Sequence, residues 1–227
     1  MGDDHLRQVR HEVRREAAPF ALAILGANAL LSLVSRGAGW ELFGSRDWWV
    51  WLLLAAPSGL LFATLVVGPS RVGLERLQRE VAITLLALLG AGTGAATLCL
   101  VVSLTRWTPS GPQLLLSAVV VLVTNVITYA LVFWEVDDGG PIARALAEAR
   151  DHPDFQFPQD ENRELARPGW APALVDYLYL SLTNSVAFSP TDAMPLTHHA
   201  KVFMGLEATI SLLTVLVIGA RAVNILA

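Results

Sequence analysis

Long apolar stretches alternate with short polar connections along most of this chain. A helix needs roughly 20 mainly apolar residues to cross a membrane, and five stretches reach about that length. They are Ala17–Ser35, Trp48–Val67, Val81–Leu104, Leu114–Trp134 and Ala200–Ala220. The pattern predicts an all-α, polytopic membrane protein with five transmembrane helices. Small residues in the third stretch, such as Gly90 and Gly94, predict that neighbouring helices approach it closely.

A sixth apolar stretch, Ala171–Phe188, is interrupted by Asp176 and Asn184. Pro172 suits the first turn of a helix, and about a dozen helical residues cover roughly 18 Å. That length is too short for a hydrocarbon core of about 30 Å. A polar segment broken by two prolines follows, and non-helical backbone at membrane depth must be buried in protein or line an aqueous cavity. The pattern predicts a re-entrant pore helix and loop before the last helix.

Composition divides the chain into three parts. Residues 1–134 combine an amphipathic N-terminus with four spans, residues 135–169 form a polar connecting segment, and residues 170–227 form the hairpin of short helix, loop and inner helix. Within the connection, a short helix is predicted from about Ile142 to Arg150, with Pro141 at its first position. Phe155 and Phe157 predict that the connection packs onto the membrane part.

Several short motifs in the hairpin carry a family resemblance. They are Tyr179-Leu180-Ser181-Leu182, Asp192-Ala193-Met194-Pro195-Leu196-Thr197, Leu206-Glu207-Ala208 and Ala220-Arg221. Together they align without a gap on the pore module of bacterial two-helix potassium channels, which the hairpin resembles. The resemblance implies a homotetramer with its loop at the axis, and it places residues 187–192 on the selectivity filter. Through the stretches at 176–179, 187–192 and 220–224, residues 125–227 are also similar to a group of bacterial membrane proteins, and that similarity implies no particular activity.

The filter-like segment departs from the family pattern. Ser189 and Thr191 stand where the family has glycine, and Pro190 stands where it has tyrosine. Potassium filters coordinate the ion with rings of backbone carbonyls; glycine permits the angles that this requires, whereas proline fixes φ. An alternative register places residues 185–190 on the filter and loses Asp192. In the favoured register the resemblance implies permeation of ions other than strictly selected potassium.

The candidate site residues follow from this alignment. The pore or filter-like set is Asn184, Ser185, Ala187, Phe188, Ser189, Pro190, Thr191 and Asp192, and the inner-helix lining is Thr209, Ser211 and Thr214. Glu207 lies inside a span, where an ionisable group is costly and usually functional or paired. We expect it to support the loop through Asn184 or Ser185. Asp192 forms an acidic ring at the pore mouth, caps the loop or pairs with Lys201.

Composition narrows the function classes. Only 16% of the 227 residues are charged, against about a quarter in soluble domains. Cys99 is the single cysteine, which excludes an intrachain disulfide and a thiolate metal cluster. The basic residues are dispersed and the net charge is −4, so no nucleic-acid partner is expected. No nucleophile motif is present, and we expect no enzymatic activity, metal site or cofactor.

The arginines predict an orientation. In the N-terminal segment and the connections between the stretches, eleven arginines fall on the side of the N-terminus and three, Arg36, Arg46 and Arg106, on the other side. The positive-inside rule then predicts a bacterial inner-membrane protein with a cytoplasmic N-terminus. Potassium-channel loops enter from outside, so three alternatives stay open: a loop entering from the cytoplasm, a full crossing that gives six transmembrane helices, or failure of the rule. The functional alternatives are a non-conducting structural or accessory membrane protein and a small-solute transporter.

Overall fold

The computed structural model describes residues 3–41, 48–67, 75–106, 109–147, 153–164, 166–189 and 193–226. Within these ranges the chain forms eight α-helices and one two-stranded antiparallel sheet. The helices are α1 Asp3–Gly37, α2 Val50–Val67, α3 Glu75–Arg106, α4 Gly111–Val136, α5 Pro141–Leu146, α6 Pro158–Glu161, α7 Leu174–Ala187 and α8 His198–Leu226. The strands are β1 Phe155–Gln156 and β2 Met194–Pro195, with Phe155 opposite Pro195.

Four of these helices are long and apolar enough to cross a membrane. The candidate spans are Leu6–Gly37, Leu77–Leu104, Gly111–Gly139 and His198–Arg221. They correspond to the first, third, fourth and fifth stretches predicted from sequence, so an all-helical, membrane-type architecture is confirmed. The apolar part of α2, Val50–Val66, is a shorter helix than these four.

Helix α4 lies at the centre of the bundle and packs against α1, α3, α7 and α8. Its start is defined by Ser110, whose hydroxyl accepts a hydrogen bond from the N–H of Gln113. That is the ordinary N-cap arrangement, and the proline in the first turn has no N–H to leave unsatisfied. Because neighbours surround it, α4 buries polar as well as apolar side chains, including Thr124 and Asn125.

The helix ends gather into two groups. At the end that we name the Asp137 end, Arg79 near the start of α3 pairs with Glu135 near the end of α4, and Glu16 of α1 accepts a hydrogen bond from the N–H of Leu174. At the opposite end, named the Trp51 end, Trp51 packs in a cluster with Leu31 and Val217. Leu100 of α3 belongs to the same cluster, so the C-terminal parts of α1, α3 and α8 all lie at the Trp51 end.

One glycine in α3, Gly92, allows a neighbouring helix to approach closely, in agreement with the prediction for this stretch. A Cβ atom on Gly92 would lie 2.4 Å from Cδ2 of Leu54 on α2, which is shorter than any ordinary carbon–carbon contact. A Cβ on Gly94 would lie 3.6 Å from Ile210 on α8. That second distance is an ordinary van der Waals contact, so the approach that requires a glycine is that of α2 to α3 at Gly92.

The polar connection folds against the Asp137 end of the bundle. Its first helix, α5, ends at Leu146, so it is shorter than the predicted helix, whose last residues lie outside the described ranges. Phe155 and Phe157 are buried. Their rings lie 5.1 Å from that of Phe133 and 5.3 Å from that of Tyr177, respectively. The predicted packing of this connection onto the membrane part is confirmed.

Candidate functional site

Helix α7 has well-defined ends. Asp176 accepts a hydrogen bond from the N–H of Ala173 through Oδ2, at 2.8 Å, which caps the first turn. The helix ends at Ala187, and Phe188 directly after it has a left-handed backbone (φ 54°) that is unusual for a bulky side chain. Fourteen residues lie between these limits, and at 1.5 Å per residue they cover about 21 Å.

The two faces of α7 differ in polarity. The buried face carries Tyr177, Ser181, Asn184 and Ser185, whereas the exposed face carries Val175, Tyr179, Leu182 and Val186. Positions three or four apart share a face of a helix, and here the polar set faces the interior of the protein. Of the two polar residues that interrupt the sixth apolar stretch, Asn184 is therefore an internal contact of the fold, whereas Asp176 caps the start of its own helix.

Three donors on the buried face converge on one carboxylate of α8. Glu207 is fully buried. Its Oε1 accepts hydrogen bonds from the hydroxyls of Ser181 and Ser185, the latter at 2.9 Å, and its Oε2 accepts one from the side-chain amide of Asn184 at 2.6 Å. Ser181 also contacts the carbonyl of Val126, and Asn184 contacts that of Met204. We name Glu207 with its three donors the Glu207 brace.

The chemistry of the brace suits a fixed contact between helices better than a cation site. A hard cation is bound by several converging oxygen ligands, whereas the groups around the Glu207 carboxylate are donors that already occupy its oxygens. Within the described ranges, no three His, Cys, Asp or Glu side chains are arranged to hold a metal ion.

A polar layer continues from the brace across the bundle. Asn125 of α4 donates to Ser211 at 3.0 Å and to the carbonyl of Glu207 at 3.3 Å. Thr93 of α3 lies 3.3 Å from the side-chain oxygen of Asn125. Two further pairs, Asn28–Thr124 and Thr97–Thr214, are 3.0 Å apart. Each of these hydrogen bonds joins two different helices, so together they favour one arrangement of the helices over its alternatives.

A second anchor lies at the Asp137 end. Asp137 is fully buried. Its Oδ1 accepts hydrogen bonds from the backbone N–H groups of Asp154 and Phe155, at 2.7 and 3.1 Å, and its Oδ2 accepts one from the Tyr177 hydroxyl. The carbonyl of Asp137 accepts a further hydrogen bond from the guanidinium of Arg144. Asp137 thus joins the end of α4, the polar connection and the first turn of α7.

Asp154 extends this anchor to the start of α8. Its Oδ1 accepts a hydrogen bond from the hydroxyl of Thr197 at 2.6 Å and lies 2.7 Å from Nε2 of His199. Its Oδ2 accepts the N–H of Asp138. Together with the β1–β2 pairing, these contacts place residues 194–199 beside the start of α7. We name this set the aspartate anchor: Asp137, Asp154, Tyr177, Thr197 and His199.

The filter-like residues predicted from sequence occupy different environments. Asn184 and Ser185 belong to the Glu207 brace, whereas Ala187, Phe188 and Ser189 are exposed at the end of α7. Pro190, Thr191 and Asp192 lie outside the described residues, as does any pairing of Asp192 with Lys201, which is itself exposed.

The three predicted inner-helix residues do not share one face of α8. Thr209 is exposed, and its hydroxyl donates to the carbonyl of Gly205 in its own helix. Ser211 and Thr214 are fully buried against α4 and α3 through Asn125 and Thr97. An oxygen-rich stripe along the exposed surface of α8 is therefore absent at these positions.

The aspartate anchor was not identified from sequence. An acidic pair at Asp137 and Asp138, before two glycines, is a local sign of a tight turn after α4. Asp154 gives no such sign, because its partner Thr197 is 43 positions away along the chain.

Comparisons with protein-family models, with curated proteins and with solved structures found no match to this chain.

Proposed function

We propose that this protein is an oligomeric pore-loop membrane protein, with a tetramer favoured, that permeates ions without strict selection for potassium. The observation that carries the proposal is the doubly anchored hairpin. Helix α7 starts at the aspartate anchor and is held by the Glu207 brace near its other end. After the loop, residues 194–199 return to the aspartate anchor. A short helix and a returning strand fixed in this way are suited to support a pore loop, which favours the proposal.

The lengths support a loop that enters and leaves on the same side. Helix α7 covers about 21 Å, less than the roughly 30 Å of a hydrocarbon core. The return from Phe188 to Met194 is six residues, which reach about 20 Å when extended. Five spans (α1, α2, α3, α4 and α8) plus this half-span agree with the helix ends at the Asp137 and Trp51 ends. A full crossing by α7 would place the start of α8 at the Trp51 end.

The arginines give this arrangement an orientation. Arg10, Arg14, Arg79 and Arg144 belong to the Asp137 end, so the positive-inside rule assigns that end to the cytoplasm. The loop then enters from the cytoplasmic side, opposite to potassium channels, and the C-terminal end of α8 is external.

The exposed end of α7 supplies the residues for a shared axis. Val186 and Phe188 are 65% and 45% exposed in the single chain, and Ser189 follows them. Symmetric assembly would bring copies of this tip together. Because Pro190 and the missing glycines are incompatible with a potassium-type carbonyl ladder, we expect weak discrimination between potassium and sodium.

Cysteine modification of the loop tip tests permeation. Ser189→Cys is made in a Cys99→Ala background, reconstituted in planar bilayers and treated with a charged thiol reagent while current is recorded. We expect current before treatment and block after it, because the tip lies on the ion path. Ala95→Cys, on the exposed surface of α3, is the matched control and should not respond. An intact oligomer that passes no current under any ion gradient, pH or voltage refutes the proposal.

A second candidate is a non-conducting structural or accessory membrane protein. The observation that favours it is the apolar character of the exposed surfaces of α7 and α8, including Val186, Phe188, Leu206 and Leu212. The polar layer lies in the interior of each chain. In an oligomer, the exposed apolar side chains of α7 and α8 would therefore line the axis and exclude water from it. Phe188→Ala discriminates between the two: a gain of current indicates a plugged conduction path, and a persistent lack of current indicates an accessory role.

A further inference from the structure

The imidazole of His199, in the first turn of α8, lies against a buried carboxylate. Its Nε2 is 2.7 Å from Oδ1 of Asp154. The His199 side chain is 56% exposed, whereas that of Asp154 is 8% exposed. The ring is therefore open to protons from the surrounding water. The carboxylate that it contacts is held inside the protein by the N–H of Asp138 and the hydroxyl of Thr197.

Backbone contacts hold residues 194–199 at the aspartate anchor together with the side chains. Phe155 pairs with Pro195 between the two strands, and the N–H of Leu196 donates to the carbonyl of Asp154 at 2.8 Å. These backbone contacts do not change between about pH 5 and pH 8. The contact of His199 does change, because histidine is the side chain whose ordinary titration falls in that range.

Protonation changes the strength of the His199 contact. The neutral ring shares a hydrogen bond with Asp154, whereas the imidazolium adds the attraction between opposite charges. A positive charge in the first turn of a helix is otherwise unfavourable, because the N-terminus of the helix carries a partial positive charge. Asp154 lies beside this same turn, where Thr197 accepts the N–H of Ala200, so its carboxylate offsets that cost.

Other charged or titratable side chains lie at the Asp137 end of α8 and of the elements around it. They are Arg79, Glu135, Asp137, Asp138, Arg144 and Asp176 on the neighbouring elements, and the exposed His198 and Lys201 on α8 itself. Arg79 pairs with Glu135. Within the described ranges, the carboxylate that contacts the His199 ring is that of Asp154.

We propose that protonation of His199 tightens the hold of the aspartate anchor on residues 194–199, so that pH on the Asp137 side regulates the pore loop. Acid strengthens the contact with Asp154, and alkali weakens it. Residues 194–199 are the returning part of the loop, so the tip at Ser189 is positioned best when the ring is charged. The effect on current rests on the proposed permeation, whereas the effect on the returning segment does not.

Hydrogen–deuterium exchange of the intact protein in detergent measures the hold on the returning segment. The readout is the protection of the peptide that contains Leu196, corrected for the intrinsic pH dependence of exchange. From about pH 8 to about pH 5.5 we expect protection in the wild type to rise about threefold, the size expected of an ion pair with one exposed partner. His199→Gln keeps a donor for Asp154 but gains no charge, so its protection should stay constant. His198→Gln, at the neighbouring exposed histidine, is the matched control and should behave as the wild type.

Current through the reconstituted oligomer measures the regulation itself. We expect the wild type to carry up to about threefold more current when the Asp137 side is acidic than when it is alkaline. Acid on the Trp51 side should have no such effect. His199→Gln should lose the dependence on pH, and His198→Gln should keep it.

Three results would overturn the inference. Equal pH dependence of protection in the wild type and in His199→Gln indicates that another group titrates. Loss of the pH dependence in His198→Gln as well as in His199→Gln removes the specific role of the contact with Asp154. A wild type that conducts equally at both pH values, although its protection changes, refutes regulation of the loop. If no current flows at all, the proposed permeation fails, while protection that rises toward acid in the wild type but not in His199→Gln still supports the His199 contact.

Discussion

Replacement of Glu207 by leucine would leave three buried donors facing an apolar side chain. Ser181 and Asn184 keep second acceptors, the carbonyls of Val126 and Met204. Ser185 keeps no other acceptor among the described residues. The hydrogen bonds that Ser181 and Asn184 lose cost about 0.6 kcal/mol each in a membrane protein. The buried Ser185 hydroxyl, left without an acceptor, costs about 1–3 kcal/mol. The expected loss in the free energy of unfolding is therefore about 2–4 kcal/mol.

An opposing effect must be weighed. Leucine removes the cost of burying a carboxylate, and replacement of a buried charge by an apolar group is stabilising in some proteins. Here three donors already compensate the carboxylate, so we expect the loss of hydrogen bonds to dominate. Glu207→Gln should cost less, about 1 kcal/mol, because its amide oxygen still accepts from the serines while its NH2 group opposes that of Asn184.

Unfolding by sodium dodecyl sulfate in mixed micelles, followed by the fluorescence of the seven tryptophans, measures these differences. Thr209→Val is the matched control on the same helix, because the Thr209 side chain is exposed and bonds only within its own helix. Ser185→Ala in the wild type and in the Glu207→Leu background completes a double-mutant cycle. A Glu207→Leu protein as stable as the wild type, or a cycle with no coupling, would refute the Glu207 brace.

Three further predictions address other parts of the structure. Tyr177→Phe should cost about 1.5–3 kcal/mol of unfolding free energy, since it removes a hydrogen bond to a carboxylate, whereas Tyr179→Phe, on the exposed face of α7, should be neutral; equal effects would contradict the aspartate anchor. Gly92→Leu should destabilise by about 1–3 kcal/mol through overpacking, whereas Gly205→Leu, with nothing within 4 Å of its Cβ, should not, and thermal unfolding of both in detergent checks the contrast. In a Cys99→Ala background, Met194→Cys and a cysteine added before Met1 should react with an impermeant thiol reagent from the same side of the membrane. A cysteine added after Ala227 should react from the other side. Labelling of both termini from one side would refute the half-span.

The contacts at Asp154 also define what the polar connection contributes. Thr197 and His199 hold the start of α8, and the N–H of Asp138 holds the end of α4, on opposite oxygens of one carboxylate. If only Phe155 and Phe157 joined the polar connection to the bundle, the position of residues 194–199 would be fixed less precisely. The hydrogen bonds restrict the relative orientation of these segments, which apolar packing alone does not, because hydrogen bonds weaken steeply away from linear geometry.

The sequence by itself determined the elements that depend on local pattern. The apolar lengths of α1, α3, α4 and α8 indicate membrane-crossing helices, because backbone polar groups in lipid must be satisfied within the helix. The same reasoning predicted a short helix in the sixth stretch, and α7 has fourteen residues. An ionisable residue within a span implied a partner, and the hydrogen bonds of Glu207 with Asn184 and Ser185 are of the expected kind.

Only the tertiary structure decided how these elements meet. Ser211 and Thr214 looked equivalent to Thr209 in sequence, but the rotation of α8 against α3 and α4 turns the first two inward and leaves the third exposed. The pairing of Asp154 with Thr197 and of Asp137 with Tyr177 joins residues at least 40 positions apart. Hydrophobic periodicity reports which face of a helix is apolar, but it carries no information on which distant polar group that helix will contact, since that depends on how all the helices pack together.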